Sequence, residues 1–230
     1  MSEKKVIPAD MAAKYGREKA GFVNIFKSSH PKTAKVLKRI ADLSGYKYGQ
    51  WLRVVAYESC VRHIRSLGVE RLDALEVSAG EHWRALPFKS YAEMNYPEYD
   101  ICSDRLPGRY DLIICDNVFE HLPYPGRAAR NILAMLRPGG TFVNITPFMV
   151  RVHNIPIDCT RWTEAGMKYM LIDAGFDPDN IETGSWGNRE CVKANFKKWV
   201  RPGWFAQMRN EARFPLQVWA FARAPAAPHK

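Results

Sequence analysis

Residues 110–148 read YDLIICDNVFEHLPYPGRAARNILAMLRPGGTFVNITPF. Tyr110–Cys115 is a short apolar run with polar Asp116 and Asn117 directly behind it, the pattern of a strand covered on both faces. An amphipathic helical pattern follows over Gly126–Leu136. Arg137-Pro138-Gly139-Gly140 then stops the helix and turns the chain into a second strand, Thr141–Thr146. Strand, helix and strand in this order indicate a parallel crossover.

The same grammar extends outward. Upstream, Ala74–Ser78 and Ser90–Met94 are strand candidates. Downstream, Thr163–Ala174 is a helix with Thr163 as its cap and Gly175 at its end. Leu216–Phe221 is a final apolar strand, expected antiparallel at the sheet edge. The expectation is an α/β protein with a doubly wound, mostly parallel sheet and an antiparallel edge strand. Residues 73–230 form its main domain, carrying a Trp-rich basic insertion at 184–213 and a frayed tail at 224–230. Residues 1–72 form an N-terminal helical extension. Its helix 31–45 carries Val36, Ile40 and Leu43 on one stripe. Its helix 48–67 turns Leu52, Val55, Ala56, Cys60, Ile64 and Leu67 inward and stops at Gly68.

Composition bounds the function. With 230 residues, 47% hydrophobic and 25% charged, usage is ordinary for a globular chain, which excludes disordered and fibrous classes. No apolar run reaches the ~18 residues of a membrane helix. The start lacks the apolar stretch of a secretory signal, and the five cysteines show no CxxC spacing, so reduced thiols in a cytoplasm are expected. The net charge of +10 is unevenly spread. Residues 1–72 and 186–230 are basic, by 9 and 7 charges, and residues 73–185 are acidic by 6. A basic surface can steer an acidic partner, including nucleic acid, or can be a plain solubilising surface.

Four features in order over 110–148 resemble class I S-adenosylmethionine-dependent methyltransferases: the strand opening Tyr110-Asp111, the Glu120-His121-Leu122 turn, the amphipathic helix, and Arg137–Gly140 leading into a strand. Downstream, HNIPIDCTRWTEAGMKYMLIDAGF is similar to the segment after that strand in the small-molecule members. The resemblance covers roughly residues 70–185 and implies a Rossmann-like fold with S-adenosyl-L-methionine as cofactor. In such sheets ligands bind beyond the carboxyl ends of the strands.

The resemblance implies a site. The family's first turn reads acid-x-Gly-x-Gly-x-Gly. Here Glu76 and Gly80 are kept, while Ser78 and His82 stand at the other two glycine positions. Asn95 falls where the family places its ribose-binding acid, with Glu93 two residues before it. It is either that ligand or a turn residue before Tyr96-Pro97. Asp104 resembles the acid that accepts from the adenine amino group, the alternative being a solvated loop acid. Asp116 and Asn117 follow the strand where cofactor and acceptor meet. His121, His153 and Asp158 are the candidate catalytic bases. Arg161, Trp162 and Trp186 are candidates for holding the acceptor, unless Asp158 and Arg161 only pair to order their loop. No His/Cys/Asp group has metal-ligand spacing, so no metal is expected.

The reading is a cytoplasmic methyltransferase acting on a small molecule of saccharide or secondary-metabolite type, acidic or glycosidic in character, with no membrane and with its oligomeric state open. Two alternatives stand beside it. One is a nucleic-acid-binding or RNA-modifying methyltransferase using Trp186, Trp199, Trp204 and Trp219 among the basic flanks, disfavoured because the motif-bearing block is acidic. The other is a non-catalytic relic of the fold, suggested by Ser78, His82 and Asn95.

Overall fold

A computed structural model describes residues 49–226 except 155 and 204. The expected helix at 31–45, Trp204 and the end of the tail lie outside the described residues. Strands β1 (Asp73–Val77), β2 (Ser90–Met94), β3 (Tyr110–Asp116), β4 (Leu136–Pro147), β5 (Ile181–Trp186) and β6 (Gln217–Arg223) form one sheet in the order β2-β1-β3-β4-β6-β5. The first four are parallel, with Leu75 opposite both Ala92 and Ile113, and Ile113 opposite Phe142. β6 runs antiparallel to β4, as expected of the last strand, but it is not the edge. β5 pairs along its outer side, Ile181 opposite Ala222, and takes the edge position. The apolar run of β6 needs cover on both sides, whereas β5, with Glu182, Thr183 and Ser185, tolerates an open side.

Helices α1 (Val54–Ser66), α2 (Glu81–Arg84), α3 (Pro125–Met135), α4 (Glu164–Asp173) and α5 (Arg189–Asn195) complete the described regular structure, with short 3-10 turns at 51–53, 69–71, 119–121 and 178–180. Alternate residues of β3 feed two cores. Ile113 and Cys115 face Ala128, Ile132 and Met135 of α3 and Met167 and Leu171 of α4. Leu112 and Ile114 face Leu52 and then Ala56, Cys60 and Ile64 of α1, together with Trp83, Trp186 and Trp219. The helix expected at 48–67 is therefore a layer on the sheet, with Ala56, Cys60 and Ile64 one turn apart on its buried stripe. Truncating a fully buried Ile113 or Ile114 to Ala would cost about 2–5 kcal/mol.

Two local devices fix the framework. Gly175 ends α4 at φ +106, a conformation that only glycine takes without strain. Arg137–Gly140 is the bulged beginning of β4 rather than a separate turn, with the register slipping between Tyr110 and Leu112. A Cβ on Gly140 would lie 3.0 Å from the carbonyl oxygens of Tyr110 and Arg137, so this bulge requires glycine. The expected insertion at 184–213 begins with the end of β5 and contains α5, whose cap Asn188 accepts the Cys191 N–H at 2.8 Å.

Candidate active site

The carboxyl ends of β1, β2 and β3 open on one edge of the sheet. After β1, Ser78 takes φ +60 and donates its N–H to the Met94 carbonyl at 2.8 Å. The serine at a family glycine position thus adopts the left-handed backbone a glycine would take, at roughly 1–2 kcal/mol. Buried Glu76 accepts the Gly80 N–H at 3.0 Å and the Tyr91 hydroxyl, and burial pushes its carboxyl up. Asn95 accepts the Ala79 N–H at 2.8 Å. Glu76 and Asn95, expected as cofactor ligands, here brace the 78–80 turn, and Gly80 is open enough that a Cβ would meet only a Glu76 oxygen at 3.9 Å.

Above the turn lies a cavity of about 440 Å³, lined by Ser78, Asp116, Asn117 and His121 among the expected residues. Its apolar walls include Val77, Met94, Ile101 and Leu122, and Asp100, Tyr96 and Tyr99 also line it. Asp104 does not. Its carboxylate accepts the Asp100 N–H at 2.7 Å, so it shapes the loop that carries Asp100 into the wall. Both acids sit in one polar loop, and the backbone path puts Asp100 rather than Asp104 in the cavity wall.

The Asp116 carboxylate is held from three sides. Oδ2 accepts from the Tyr57 hydroxyl at 2.6 Å and from Trp83 Nε1 at 3.1 Å, and Oδ1 accepts from Asn117 Nδ2 at 2.5 Å. Arg53 donates to the Tyr57 oxygen at 3.0 Å, and His82 stacks on the Tyr57 ring at 4.3 Å. Asn117, at φ +54, accepts from Gln217 at 3.2 Å. Tyr57 and Trp83 carry no functional signal in the sequence, since their shared partner Asp116 is remote along the chain, and Arg53 reaches it only through Tyr57.

The loop after β4 docks on the 119–121 turn through Cys159 N–H to the Glu120 carbonyl at 2.7 Å. This brings His121 and His153 edge to face, their ring centroids 5.0 Å apart. His121 Nδ1 bonds the Ile157 carbonyl, and its Nε2 lies 3.6 Å from Glu120 Oε1. His153 Nε2 lies 3.9 Å from the same oxygen, and its Nδ1 is 3.4 Å from Asp158 Oδ2. Burial lowers the pKa of both imidazoles, and His121 adds to the lowering at His153. The Glu120 side chain is 0% exposed and neither of its oxygens has a hydrogen-bond partner among the described residues. Burial pushes its carboxyl up to about 8.

Asp158, expected as a base, is occupied. Arg161 clamps both of its oxygens, one at 2.5 Å, and the His153 N–H donates to it at 2.8 Å. Burial raises its carboxyl, but these donors outweigh burial and hold it below the usual range. Its geometry, like that of Arg161, is that of a loop clasp. Trp162 packs edge-on against Phe119, with centroids 6.4 Å apart. Trp186 is 2% exposed, donates to the Met208 carbonyl at 3.0 Å, belongs to the core and does not line the cavity. An aromatic in a basic, loop-like stretch resembles a binding platform, but its strand buries it.

A doubly wound parallel sheet with a ligand-sized cavity at its carboxyl edge is the architecture of the class I S-adenosylmethionine-dependent methyltransferases. Residues 45–142 match the sequence profile of the methyltransferase-domain family. The ubiquinone biosynthesis O-methyltransferase of Bordetella pertussis is 32% identical over 76 residues, 33% of this chain and 27% of that protein. The chain thus spans about a quarter of the length of the curated relatives it matches. A S-adenosylmethionine-dependent methyltransferase from Archaeoglobus fulgidus shares the fold at a TM-score of 0.50 and 10% identity, over 74% of this chain and 94% of that one. The [4+2]-cyclase SpnF does so at 0.50 and 14%, over 78% and 85%. A cyclase on this fold shows that the fold does not by itself fix the reaction. Among the described residues no helix is long and apolar enough to cross a membrane.

Proposed function

We propose that the chain binds S-adenosylmethionine in the cavity over β1, β2 and β3 and methylates a hydroxyl of a small-molecule acceptor. The observation that carries this reading is the cavity itself: about 440 Å³, at the carboxyl edge of the sheet, with apolar walls broken by Ser78, Asp100, Asp116 and Asn117. Its volume falls in the range of small-ligand sites, roughly 300–1,000 Å³, and this mixture suits a nucleoside with a charged tail. Bound there, the cofactor supplies an electrophilic methyl group on a sulfonium. The chain supplies alignment and a place for the acceptor's proton. Asp100 and Ile101 line the cavity together with Asp116, which Tyr57 and Trp83 immobilise. His121 closes the far wall with Glu120 and His153 behind it, the group of side chains toward which a hydroxyl proton leaves.

The name of the curated relatives, which are O-methyltransferases, supports oxygen as the acceptor atom. Calorimetric titration with S-adenosylhomocysteine should give saturable one-to-one binding. Labelled S-adenosylmethionine, offered with a panel of saccharides and phenolic metabolites, should then label at least one hydroxyl compound. A folded chain that binds neither cofactor form would sink the reading.

A further inference from the structure

Glu120 is a buried carboxylate that no described donor serves, and two imidazole nitrogens face one of its oxygens. The far side of the His121 ring fixes its tautomer. His121 Nδ1 sits on the Ile157 carbonyl and must carry the proton, which leaves Nε2 as a lone pair. His153 Nδ1 lies 3.4 Å from the Asp158 carboxylate without a hydrogen bond to it. Both Nε2 atoms face the same oxygen of Glu120, at 3.6 and 3.9 Å. Neither Glu120 oxygen has a hydrogen-bond partner among the described residues, and all three groups offer atoms that bind metals.

We propose that Glu120, His121 and His153 form a binding site for one divalent transition-metal ion, of the zinc class, in the wall of the cavity. One ligand atom from each side chain lies within 4.8 Å of the other two. Ligand atoms around a tetrahedral zinc stand about 3.3 Å apart, from metal–ligand distances of about 2.0–2.2 Å, so small side-chain rotations close the set. Two histidines and a carboxylate are a zinc ligand set that leaves a fourth position open. Ile157 O, bonded behind the His121 ring, is an outer partner of the kind that orients metal-binding imidazoles, and Asp158 Oδ2 lies 3.4 Å behind the His153 ring. The two nearby guanidiniums are engaged elsewhere, Arg161 with Asp158 and Arg53 with Tyr57. The ligands come from the loops after β3 and β4, so the fold assembles the site and no local sequence motif spells it.

Metal binding stands on this geometry alone. Only its catalytic consequence, a metal-bound hydroxyl that loses its proton more readily, rests on the proposed methyl transfer. The test uses the full chain after dialysis against a chelator. Zn²⁺ is titrated by calorimetry against a competing chelator, and bound metal is counted by elemental analysis. One Zn²⁺ per chain is expected, and Co²⁺ in its place should give the visible absorption of a low-coordinate site. Glu120→Gln and His153→Gln should each weaken Zn²⁺ binding at least about tenfold. His153→Gln, at a half-buried position, carries the test if Glu120→Gln fails to fold. Cys159→Ser, at the exposed thiol nearby, should leave the affinity unchanged. Absence of binding to the folded chelated chain, binding unaffected by both ligand variants, or binding lost with Cys159 would each overturn the proposal. S-adenosylhomocysteine titrated into the same chelated sample separates this failure from failure of the methyltransferase reading.

Discussion

The Tyr57 hydroxyl donates to Asp116 Oδ2 at 2.6 Å and so ties the first described helix to the end of the third strand. The contact joins residues 59 positions apart and puts α1 in charge of a cavity-lining carboxylate. Burial and the Asp116 carboxylate push the phenol pKa well above its usual value, so Tyr57 remains a donor throughout the working pH range. Tyr57→Phe should lower stability by about 1.5–3 kcal/mol, the range for a hydrogen bond to a charged group. It should also weaken S-adenosylhomocysteine binding. Denaturant unfolding and calorimetry check the two effects, and unchanged values in both would dissolve the link.

Ser78 carries backbone strain at φ +60. Ser78→Gly should relieve it and raise unfolding free energy by up to about 1 kcal/mol, whereas Ser78→Val should lower it by more than that. A thermal melt that ranks valine above glycine contradicts this.

Asp100 lines the cavity and Asp104 braces it. Asp100→Ala should weaken S-adenosylhomocysteine binding by on the order of 1–3 kcal/mol, about 5- to 150-fold. Asp104→Asn keeps an acceptor for the Asp100 N–H and should cost less than about threefold. The reverse order in a calorimetric titration would return the adenine side to Asp104.

Trp186→Phe removes the bond to the Met208 carbonyl inside the core. Stability should fall by about 1 kcal/mol, with cofactor affinity and the KM for any acceptor unchanged. A rise in that KM without loss of stability would put Trp186 back at the acceptor.

At the amino edge, Asp73 accepts from Ser90 at 2.7 Å, from Arg137 at 2.8 Å and from Lys89 at 3.2 Å. The Ser90 hydroxyl first, then the Arg137 and Lys89 cations, lower its carboxyl from 3.8 to about 2. A depressed native pKa means that the folded chain binds this proton less readily than the unfolded one. The contribution is therefore fully present above about pH 4 and disappears as pH falls through about 2. The stability gap between the parent and Asp73→Asn should be widest near neutrality and should close between pH 4 and pH 2 in acid unfolding curves.

Much of the fold was legible along the chain because its signals are local. The apolar run of β3, the Thr163 cap and Gly175 of α4, and the stripe of Ala56, Cys60 and Ile64 on α1 all express backbone chemistry within a few residues. β5 escaped notice because its polar and glycine residues at 182–185 carry no apolar run, and only pairing with β6 makes it a strand. Of the expected residues that line the cavity, Asp116 and Asn117 are legible directly behind an apolar run, and His121 in the Glu120-His121-Leu122 turn.

Local periodicity and capping already specified an α/β chain, because hydrogen bonding and burial period act over neighbouring residues. Which acid faces the cavity, which tryptophan is core, what holds Asp116, and that Glu120 meets two imidazoles were settled in space. Each depends on side chains remote in sequence: Tyr57 and Trp83 on Asp116, Met208 on Trp186, and His153 beside Glu120. A sequence records residue types and spacing. Convergence on one carboxylate is a property of distance, and only the folded backbone sets that distance.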